Sequence, residues 1–333
     1  MSLCERIQPD MVIVNDLDQL ETVASSLPRL PVVLATDLTL DAETLLRSIH
    51  AGACDVWPLP MDDAALTGRL DALAARRATA ASDQEARLTQ FAREIERDQR
   101  AGRYIQMGML PPNPMAIEGY RLQHQIVPSL ILSGDFVDYF RITDRYFAFY
   151  VADVSGHGAS SAFVTVLLKN FSRRLRREFR PSMLKSPGEI LQWINRELLE
   201  QSIDKHVALL LGVADLETDE IRLVNGGHYP PAVLVQDGRS RFVEQKGKPV
   251  GLFDEVSYPY EAITLGVGDR LVMFSDGVVD VLDGNDLEAK EGLMLDAAAD
   301  GTDVDGIWKA LAVSFSRADK PDDMTCLMVQ RES

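Results

Sequence analysis

The sequence contains few cysteines and no long apolar segment, and each absence excludes a class of protein. Its three cysteines, Cys4, Cys54 and Cys326, are too few and too scattered for a disulfide framework or a zinc site. No apolar run approaches the roughly twenty residues that a membrane-spanning helix needs. No apolar leader follows Met1 either. These features predict a folded protein in a reducing, cytoplasmic location.

Positive charge is also scarce. Lys and Arg total 34 against 51 Asp and Glu, which gives a formal net charge of −17. A chain this acidic is repelled by phosphate backbones and anionic lipid, so neither nucleic acid nor a membrane is an expected partner. The 46% of apolar residues is typical of globular proteins. The length of 333 residues exceeds what one core usually organises, so we expect two domains.

Short apolar runs alternate with helical stripes near the N-terminus. Asp10–Asn15, Leu30–Thr36 and Cys54–Trp57 have the composition of buried strands. A stripe of helical period lies between each consecutive pair of them. This alternation predicts a parallel α/β sheet, although three strands are too few for a complete doubly wound domain.

This N-terminal segment resembles the later part of the receiver domain of response regulators. In that family the strand ends carry a phosphoacceptor Asp, then a Thr or Ser, then a Lys before a Pro. Thr36 and Pro60 match, but Asn15 stands at the acceptor position and Leu59 at the lysine position. Because an amide is a poor nucleophile, the resemblance implies a degenerate, shortened receiver-like domain over residues 1–61. We expect it to bind a regulatory protein rather than accept a phosphoryl group.

Residues 62–112 are charged and rich in alanine, and they predict a helical linker. Seven positions follow the alternating spacing of three and four that marks a coiled-coil seam. They are Leu88, Phe91, Ile95, Asp98, Gly102, Ile105 and Met109. Two of the seven are not apolar, so two interpretations stay open: a homodimer joined along this helix, or a long helix packed against its own domains.

Residues 113–333 mix strand and helix patterns in the manner of an α+β domain. Strands are predicted at Tyr146–Val154, His206–Asp215, Ala232–Val235, Arg270–Ser275 and Met324–Val329. A helix is predicted to follow Ser186, the expected N-cap.

Acidic residues lie at the ends of these strands or in turns beside them. The four main positions are Asp135, Asp153, Asp276 and Asp322. Carboxylates at strand ends are costly unless they are neutralised, and no Lys or Arg lies within two residues of Asp153 or Asp276. Magnesium and manganese prefer carboxylate and carbonyl oxygens. The pattern therefore predicts a site for a hard divalent cation.

Five motifs follow one another in this region: SGDFVDYF, VADVSGHGASSAF, NGGHYPPAVL, FSDGVVDV and DDMT, after a lead-in QMGMLPP. Together they resemble the metal-dependent protein phosphatases (the PPM family), in the bacterial branch typified by sporulation and stress-response phosphatases. The resemblance implies two central antiparallel sheets flanked by helices. It also implies a phosphoserine or phosphothreonine phosphatase with a two-metal Mn²⁺ or Mg²⁺ site between the sheets.

The resemblance also assigns roles to individual residues. Asp153 would bridge both metal ions, and the backbone carbonyl of Val154 would bind one of them. Asp276 and Asp322 would bind the other ion. Asp135 would act from the first motif, directly or through a water molecule.

Further positions have two interpretations. Asp323 is the near alternative to Asp322, although the family position is the acid three residues before Thr325. We expect Thr325 to support Asp322 by hydrogen bonding. Asp280 stands where some relatives hold an extra metal, but a plain surface role is favoured. His157 is a candidate general acid, with a loop-packing role favoured.

Two other segments also have two interpretations. Asn225–His228 predicts a glycine turn near the site rather than a catalytic group. A basic run predicts a solvated helix face, with steering of a phosphoprotein as the alternative. The run comprises Lys169, Arg173, Arg174, Arg176, Arg177 and Arg180.

Members of this branch commonly dephosphorylate an anti-sigma-factor antagonist, and the resemblance implies a substrate of that kind in a partner-switching pathway. Some relatives that carry a receiver have lost the metal ligands and bind a sigma factor, so a non-catalytic adaptor is the alternative. Retention of the four aspartates argues against it, because a scaffold gains only repulsion from them. A diguanylate cyclase is not expected, since Phe136 stands where its signature needs an acid.

Overall fold

The structure, a computed structural model of the chain, describes residues 9–27, 30–37, 41–312 and 321–332. The chain forms two compact units that meet in sequence between Phe91 and Ala92. Cys4 lies outside the described residues. Within the described ranges, no helix combines the length and apolar character needed to cross a membrane.

The first unit contains the predicted parallel sheet, with strand order β1-β2-β3. Its elements are β1 (Val12–Val14), α1 (Leu17–Ser26), β2 (Val32–Thr36), α2 (Ala42–His50) and β3 (Asp55–Pro58). Both short helices begin at an aspartate N-cap: the Asp16 carboxylate accepts the Asp18 N–H, and the Asp41 carboxylate accepts the Thr44 N–H. The apolar strands bury their side chains against Leu20 of α1.

The carboxyl ends of these strands bring together the positions that carry the receiver resemblance. Asn15, Thr36, Leu59 and Pro60 line one pocket at this edge of the sheet. Parallel strands present their carboxyl ends at the same edge, so this convergence follows from the topology. The pocket presents an amide and an aliphatic side chain where the receiver pattern has a carboxylate and an ammonium group.

A single 47-residue helix, α3 (Asp63–Met109), confirms the predicted helical segment. The boundary between the two units falls inside this helix. Leu88, Phe91 and Ile105 have exposed fractions of 65%, 67% and 64%. Met109, the last position of the seam, instead packs against the core of the second unit. The seam is thus an exposed apolar stripe along most of its length.

The second unit contains two antiparallel sheets, as predicted. The first sheet has the order β11-β10-β13-β14-β5-β4, and the second has the order β12-β9-β8-β7-β6. The strands are β4 (Met115–Ile117), β5 (Tyr120–Val127), β6 (Phe136–Arg141), β7 (Tyr146–Val154), β8 (Val207–Asp215), β9 (Glu220–Gly226), β10 (Ala232–Gln236), β11 (Arg239–Val243), β12 (Tyr260–Thr264), β13 (Arg270–Phe274) and β14 (Met324–Arg331).

Helices cover the outer face of each sheet. They are α4 (Ala159–Glu178), α5 (Pro181–Lys185), α6 (Gly188–Glu200), α7 (Asp276–Val281), α8 (Leu287–Asp300) and α9 (Val304–Ala310). Helices α4 to α6 pack on the second sheet, and α7 to α9 pack on the first. A third core, which includes Phe149, Leu223 and Leu327, fills the space between the sheets. The four layers bury alternate residues of each strand on opposite faces.

One prediction about α4 to α6 is wrong: Ser186 does not cap α6 with its side chain, because the helix begins at Gly188 after Pro187 and has no side-chain cap. The predicted solvated face of the basic run is confirmed for its four exposed members, Arg173, Arg176, Arg177 and Arg180. The other two members contact acidic side chains. The Lys169 ammonium donates to the buried Asp138 carboxylate at 2.9 Å, and the Arg174 guanidinium donates to Glu197 at 2.7 Å.

Candidate active site

The predicted acidic residues lie where strands of the two sheets begin or end. Asp153 is the penultimate residue of β7, and Asp135 directly precedes β6. Because Phe136 pairs with Ala152, the antiparallel register places Asp135 opposite Asp153. Asp276 follows β13, and Asp322 lies just before β14, which pairs with β13. The fold therefore brings carboxylates from both sheets to one end of the sandwich.

Asp135 is the most deeply buried of these carboxylates, with an exposed fraction of 2%. Its Oδ2 accepts a hydrogen bond of 2.6 Å from the Thr325 hydroxyl, which bridges the two sheets. Burial raises the pKa of Asp135 well above its ordinary value, and the charge of Asp153 raises it further. This hydrogen bond corrects the expected partner of Thr325, which supports Asp135 rather than Asp322.

Mutual repulsion marks the other carboxylates as one group. Burial, together with the charges of Asp276, Asp322 and Asp323, raises the pKa of Asp153 to about 7. Burial also raises the pKa of Asp276, with a further contribution from Asp322 and Asp280. The pKa of Asp322 is raised by burial as well. Crowded anions of this kind are stabilised by a cation placed among them.

The two adjacent acids before β14 have different surroundings. The Asp323 carboxylate is 96% buried and receives four hydrogen bonds from one loop. The donors are Ser129 N–H at 2.6 Å, Ser129 Oγ at 2.9 Å, Gly134 N–H at 2.6 Å and Ser133 Oγ at 3.1 Å. Asp322 is less buried and accepts the Asp323 N–H at 2.8 Å. The geometry therefore favours Asp322 over Asp323 as a ligand.

Gly277 allows the close packing that places Asp276 beside Asp322. A Cβ atom at Gly277 would lie 2.1 Å from the backbone oxygen of Asp323, a distance that no real Cβ contact shows. Only glycine lets α7 rest directly on this backbone. This close packing explains why the FSDG motif has a glycine at position 277.

The loop that follows Asp153 is held by a residue from a distant part of the chain. The Lys205 ammonium donates to the Ser155 carbonyl at 2.7 Å and to Ser161 Oγ at 3.4 Å. His157 lies exposed on this loop, close enough to Asp322 to offset a small part of the rise that burial causes in the pKa of Asp322. The loop therefore holds an imidazole near the carboxylate group.

The predicted turn at Asn225–His228 is confirmed. The Asn225 side chain accepts the His228 N–H at 2.7 Å and donates to the His228 carbonyl at 3.0 Å. Gly227 has a φ of +78°, which a side chain disfavours. His228 is buried, and burial lowers its pKa to about 4. The segment is a structural turn with a neutral imidazole.

The donor set is that of a hard divalent cation. Every candidate ligand offers oxygen, either from a carboxylate or from the Val154 carbonyl, and no thiol or thioether belongs to the set. Across the residues that the structure describes, no three His, Cys, Asp or Glu side chains converge as a preformed metal site. The residue types and their mutual repulsion fit Mg²⁺ or Mn²⁺.

Comparison with known families agrees with this geometry. Residues 143–332, more than half of the chain, match the model for Stage II sporulation protein E (SpoIIE). The chain belongs to the SpoIIE family. Three of the four aspartates lie within the matched residues, and Asp135 precedes them.

Individual relatives of the SpoIIE domain share its fold. Phosphoserine phosphatase RsbP of Bacillus subtilis is 27% identical over 199 residues, which are 57% of this chain and 47% of that protein. The chain thus matches about half the length of this relative. The SiaA-PP2C domain of Pseudomonas aeruginosa superposes with a TM-score of 0.59 at 16% identity, over 72% of this chain and 98% of that domain. RsbX in complex with magnesium superposes with a TM-score of 0.50 at 16% identity, over 66% of this chain and 98% of that chain.

Sequence reasoning missed several residues that shape the SpoIIE site. Ser129 and Lys205 lie far in sequence from the groups that they contact, and neither belongs to a motif. Ser275 belongs to the FSDGVVDV motif and was predicted only as the end of a strand, but its hydroxyl accepts the Thr325 N–H at 2.8 Å and ties β13 to β14. Ser129 and Lys205 carry no periodic or spacing signal.

Proposed function

We propose that this protein is a metal-dependent phosphatase that hydrolyses phosphoserine or phosphothreonine on another protein. The crowding of Asp135, Asp153, Asp276 and Asp322 at one end of the two sheets carries the proposal. The similarity to RsbP, which is named a phosphoserine phosphatase, supports it. The principal domains would be residues 1–61 and 113–333, joined by a helical linker over 62–112.

The residues of the site would have different roles. Asp153 would contact two Mn²⁺ or Mg²⁺ ions, the Val154 carbonyl one of them, and Asp276 and Asp322 the other. Asp135 would act directly or through water. Such a pair of ions lowers the pKa of a water molecule and neutralises charge on a phosphoryl group. The Thr325 hydroxyl fixes Asp135, and His157 remains the candidate proton donor to the leaving oxygen.

The first prediction is manganese-stimulated hydrolysis by the purified full chain. We expect turnover of p-nitrophenyl phosphate and of phosphoserine peptides, loss of turnover after EDTA treatment, and recovery on addition of Mn²⁺. Isothermal titration should show Mn²⁺ binding in the absence of substrate. If Mn²⁺ neither binds nor stimulates hydrolysis of any of these substrates, the non-catalytic adaptor becomes the better proposal.

For the substrate, we propose a phosphorylated anti-sigma-factor antagonist of a partner-switching pathway. The resemblance of the motifs to the stress-response branch supports this choice. Incubation with the phosphorylated antagonist proteins of the same cell should release phosphate from at least one of them. If none loses phosphate while phosphopeptides do, the pathway assignment is wrong although the chemistry stands.

For regulation, we propose that the N-terminal unit acts by binding a protein and that α3 joins two copies of the chain. The exposed stripe of Leu88, Phe91, Ile95 and Ile105 supports this proposal. Within the second unit, a groove of about 400 Å³ adjoins the stripe, and exposed Phe163 of α4 contributes to its wall. Packing of two such helices buries apolar area that is otherwise in contact with water.

The second prediction tests this interface. The variant Phe91→Glu/Ile95→Glu should be monomeric by light scattering and should lose activity, because charge on the stripe opposes helix packing. Tyr104→Glu, which changes an exposed residue of the same helix outside the stripe, is the matched control. Acetyl phosphate should leave activity unchanged and label nothing. A monomeric wild-type protein with full activity, or hydroxylamine-labile phosphate on the N-terminal unit, would contradict the proposal.

A further inference from the structure

The C-terminal half of α4 concentrates positive charge in an acidic protein. Residues 169–180 contain six Lys or Arg residues and one acid, whereas the whole chain has 34 basic and 51 acidic residues. Lys169 and Arg174 are held by Asp138 and Glu197. The remaining four arginines are exposed.

This arginine face comprises Arg173, Arg176 and Arg177 on α4 and Arg180 directly after it. All four are exposed. Positions 173, 176 and 177 are three or four residues apart and share one side of the helix, while Phe171 and Leu175 face the core. No carboxylate of the described chain forms an ion pair with any of the four, whereas the neighbouring Arg174 contacts two.

The arrangement is unfavourable for α4 alone. Like charges at spacings of three and four repel one another along a helix. The negative end of the helix dipole accounts for Arg176 and Arg177 in the last turn, but Arg173 lies before that turn. Charge that destabilises an isolated helix and has no partner in its own chain indicates an external anionic partner.

The position of the helix relates this face to the active site. Helix α4 begins at Ala159, six residues after Asp153 and directly after the loop that Lys205 holds. A helix rises about 1.5 Å per residue, so Arg173 lies about 21 Å along the axis from that start. An extended peptide covers this length with roughly six residues.

We propose that the arginine face binds an acidic segment of the phosphoprotein substrate while its phosphorylated residue occupies the aspartate site. The inference rests on the proposed phosphatase function and adds to it a requirement on the substrate. The substrate carries acidic residues at least about six positions from the phosphorylated residue. The protein has a net charge of −17, so most of its surface repels an acidic segment of a substrate. The arginine face attracts such a segment, and this charge complementarity directs the segment to that face.

The third prediction uses synthetic, fluorescently labelled phosphoserine peptides. In each peptide a six-residue Gly/Ser spacer joins the phosphoserine to a tail of four Glu, four Gln or four Lys. Each tail is placed either N-terminal or C-terminal to the phosphoserine. We expect the Glu tail, in at least one orientation, to lower both the Kd and the KM about tenfold relative to Gln. The gain should vanish at about 0.5 M NaCl, where exposed charges are screened.

Two variants of equal net charge test whether the arginine face causes the preference for the Glu tail. Arg173→Glu/Arg177→Glu should lose the preference for Glu and bind the Lys tail better. Arg239→Glu/Arg241→Glu, on the exposed strand β11, should keep the wild-type preference. Both should retain p-nitrophenyl phosphate hydrolysis and thermal stability, because neither pair touches the site.

The outcomes separate this inference from the phosphatase proposal. Absence of p-nitrophenyl phosphate hydrolysis in the wild type would contradict the chemistry, while peptide anisotropy would still decide the docking. Equal affinity for the Glu and Gln tails, or equal loss in both variants, would overturn the docking. Arginine-dependent binding to phosphatidylserine vesicles with unchanged peptide turnover would also overturn it and identify a lipid surface instead.

Discussion

Replacement of Asp153 by Ala should abolish hydrolysis while the protein stays folded. Asp153 lies among Asp276, Asp322 and Asp323, so it is the carboxylate best placed to contact both of the metal ions that we propose. Loss of electrostatic stabilisation worth several kcal/mol corresponds to a decrease in kcat/KM of about 10³-fold or more. We expect Mn²⁺ affinity, measured by titration calorimetry, to fall in parallel.

The same variant should be more stable than the wild type when metal is removed at neutral or higher pH. The folded pKa of Asp153 is raised from 3.8 to about 7, so the folded state binds more protons than the unfolded state between these values. Wild-type stability therefore falls as pH rises through this window, and the Ala variant lacks that loss. The difference should be ~1–3 kcal/mol at pH 8 and close to zero at pH 4.

Denaturant unfolding in EDTA at the two pH values measures this difference. Asp254→Ala removes an exposed aspartate that is not among the charges acting on Asp153 and serves as the control, with no expected change in turnover or in pH dependence. Turnover by Asp153→Ala at near wild-type rates would show that the metal assignment is wrong.

The fold class and the longest apolar strands were predictable because such strands carry a strong signal. The prediction for β7, Tyr146–Val154, is correct at both ends, and β13 and β14 are within two residues. Strands β4, β5, β6, β9, β11 and β12 were not predicted; Phe136–Arg141, for example, includes the buried Asp138, and Tyr260–Thr264 is mostly exposed. Burial there depends on partners elsewhere in the chain, which local periodicity does not record.

The site was predictable as a set of aspartates but not as a network. Motif resemblance identified Asp135, Asp153, Asp276 and Asp322, and the structure brings them to one end of the sheets. The partner of Thr325 was predicted wrongly, because the Asp135 contact crosses 190 positions of sequence and depends on how the two sheets pack. Of the four donors to Asp323, two come from Ser129, which lies outside every motif, and two come from Ser133 and Gly134 of the SGDFVDYF motif, whose resemblance does not predict this contact.

Asp322 and Asp323 should give opposite results when each is replaced by Ala. Asp322→Ala removes a partly exposed carboxylate from a group of like charges, so metal-free stability should stay level or rise while Mn²⁺ affinity falls. Asp323→Ala removes the acceptor of four hydrogen bonds and leaves the buried Gly134 N–H without its partner. We expect a stability loss of ~2–4 kcal/mol in the metal-free protein.

The variant Asp323→Asn makes the same comparison with a side chain of almost the same shape as aspartate. Either amide orientation keeps one acceptor oxygen but turns an NH₂ group toward donors: the Ser129 N–H at Oδ1 or the Gly134 N–H at Oδ2. It should lower metal-free stability, whereas Asp322→Asn should leave it unchanged. Thermal unfolding in EDTA and Mn²⁺ titration of all four variants measure the two quantities separately. If Asp323→Ala instead lost Mn²⁺ binding at unchanged stability, Asp323 would be the ligand, and the loop of Ser129 and Gly134 would depend on other contacts for its position.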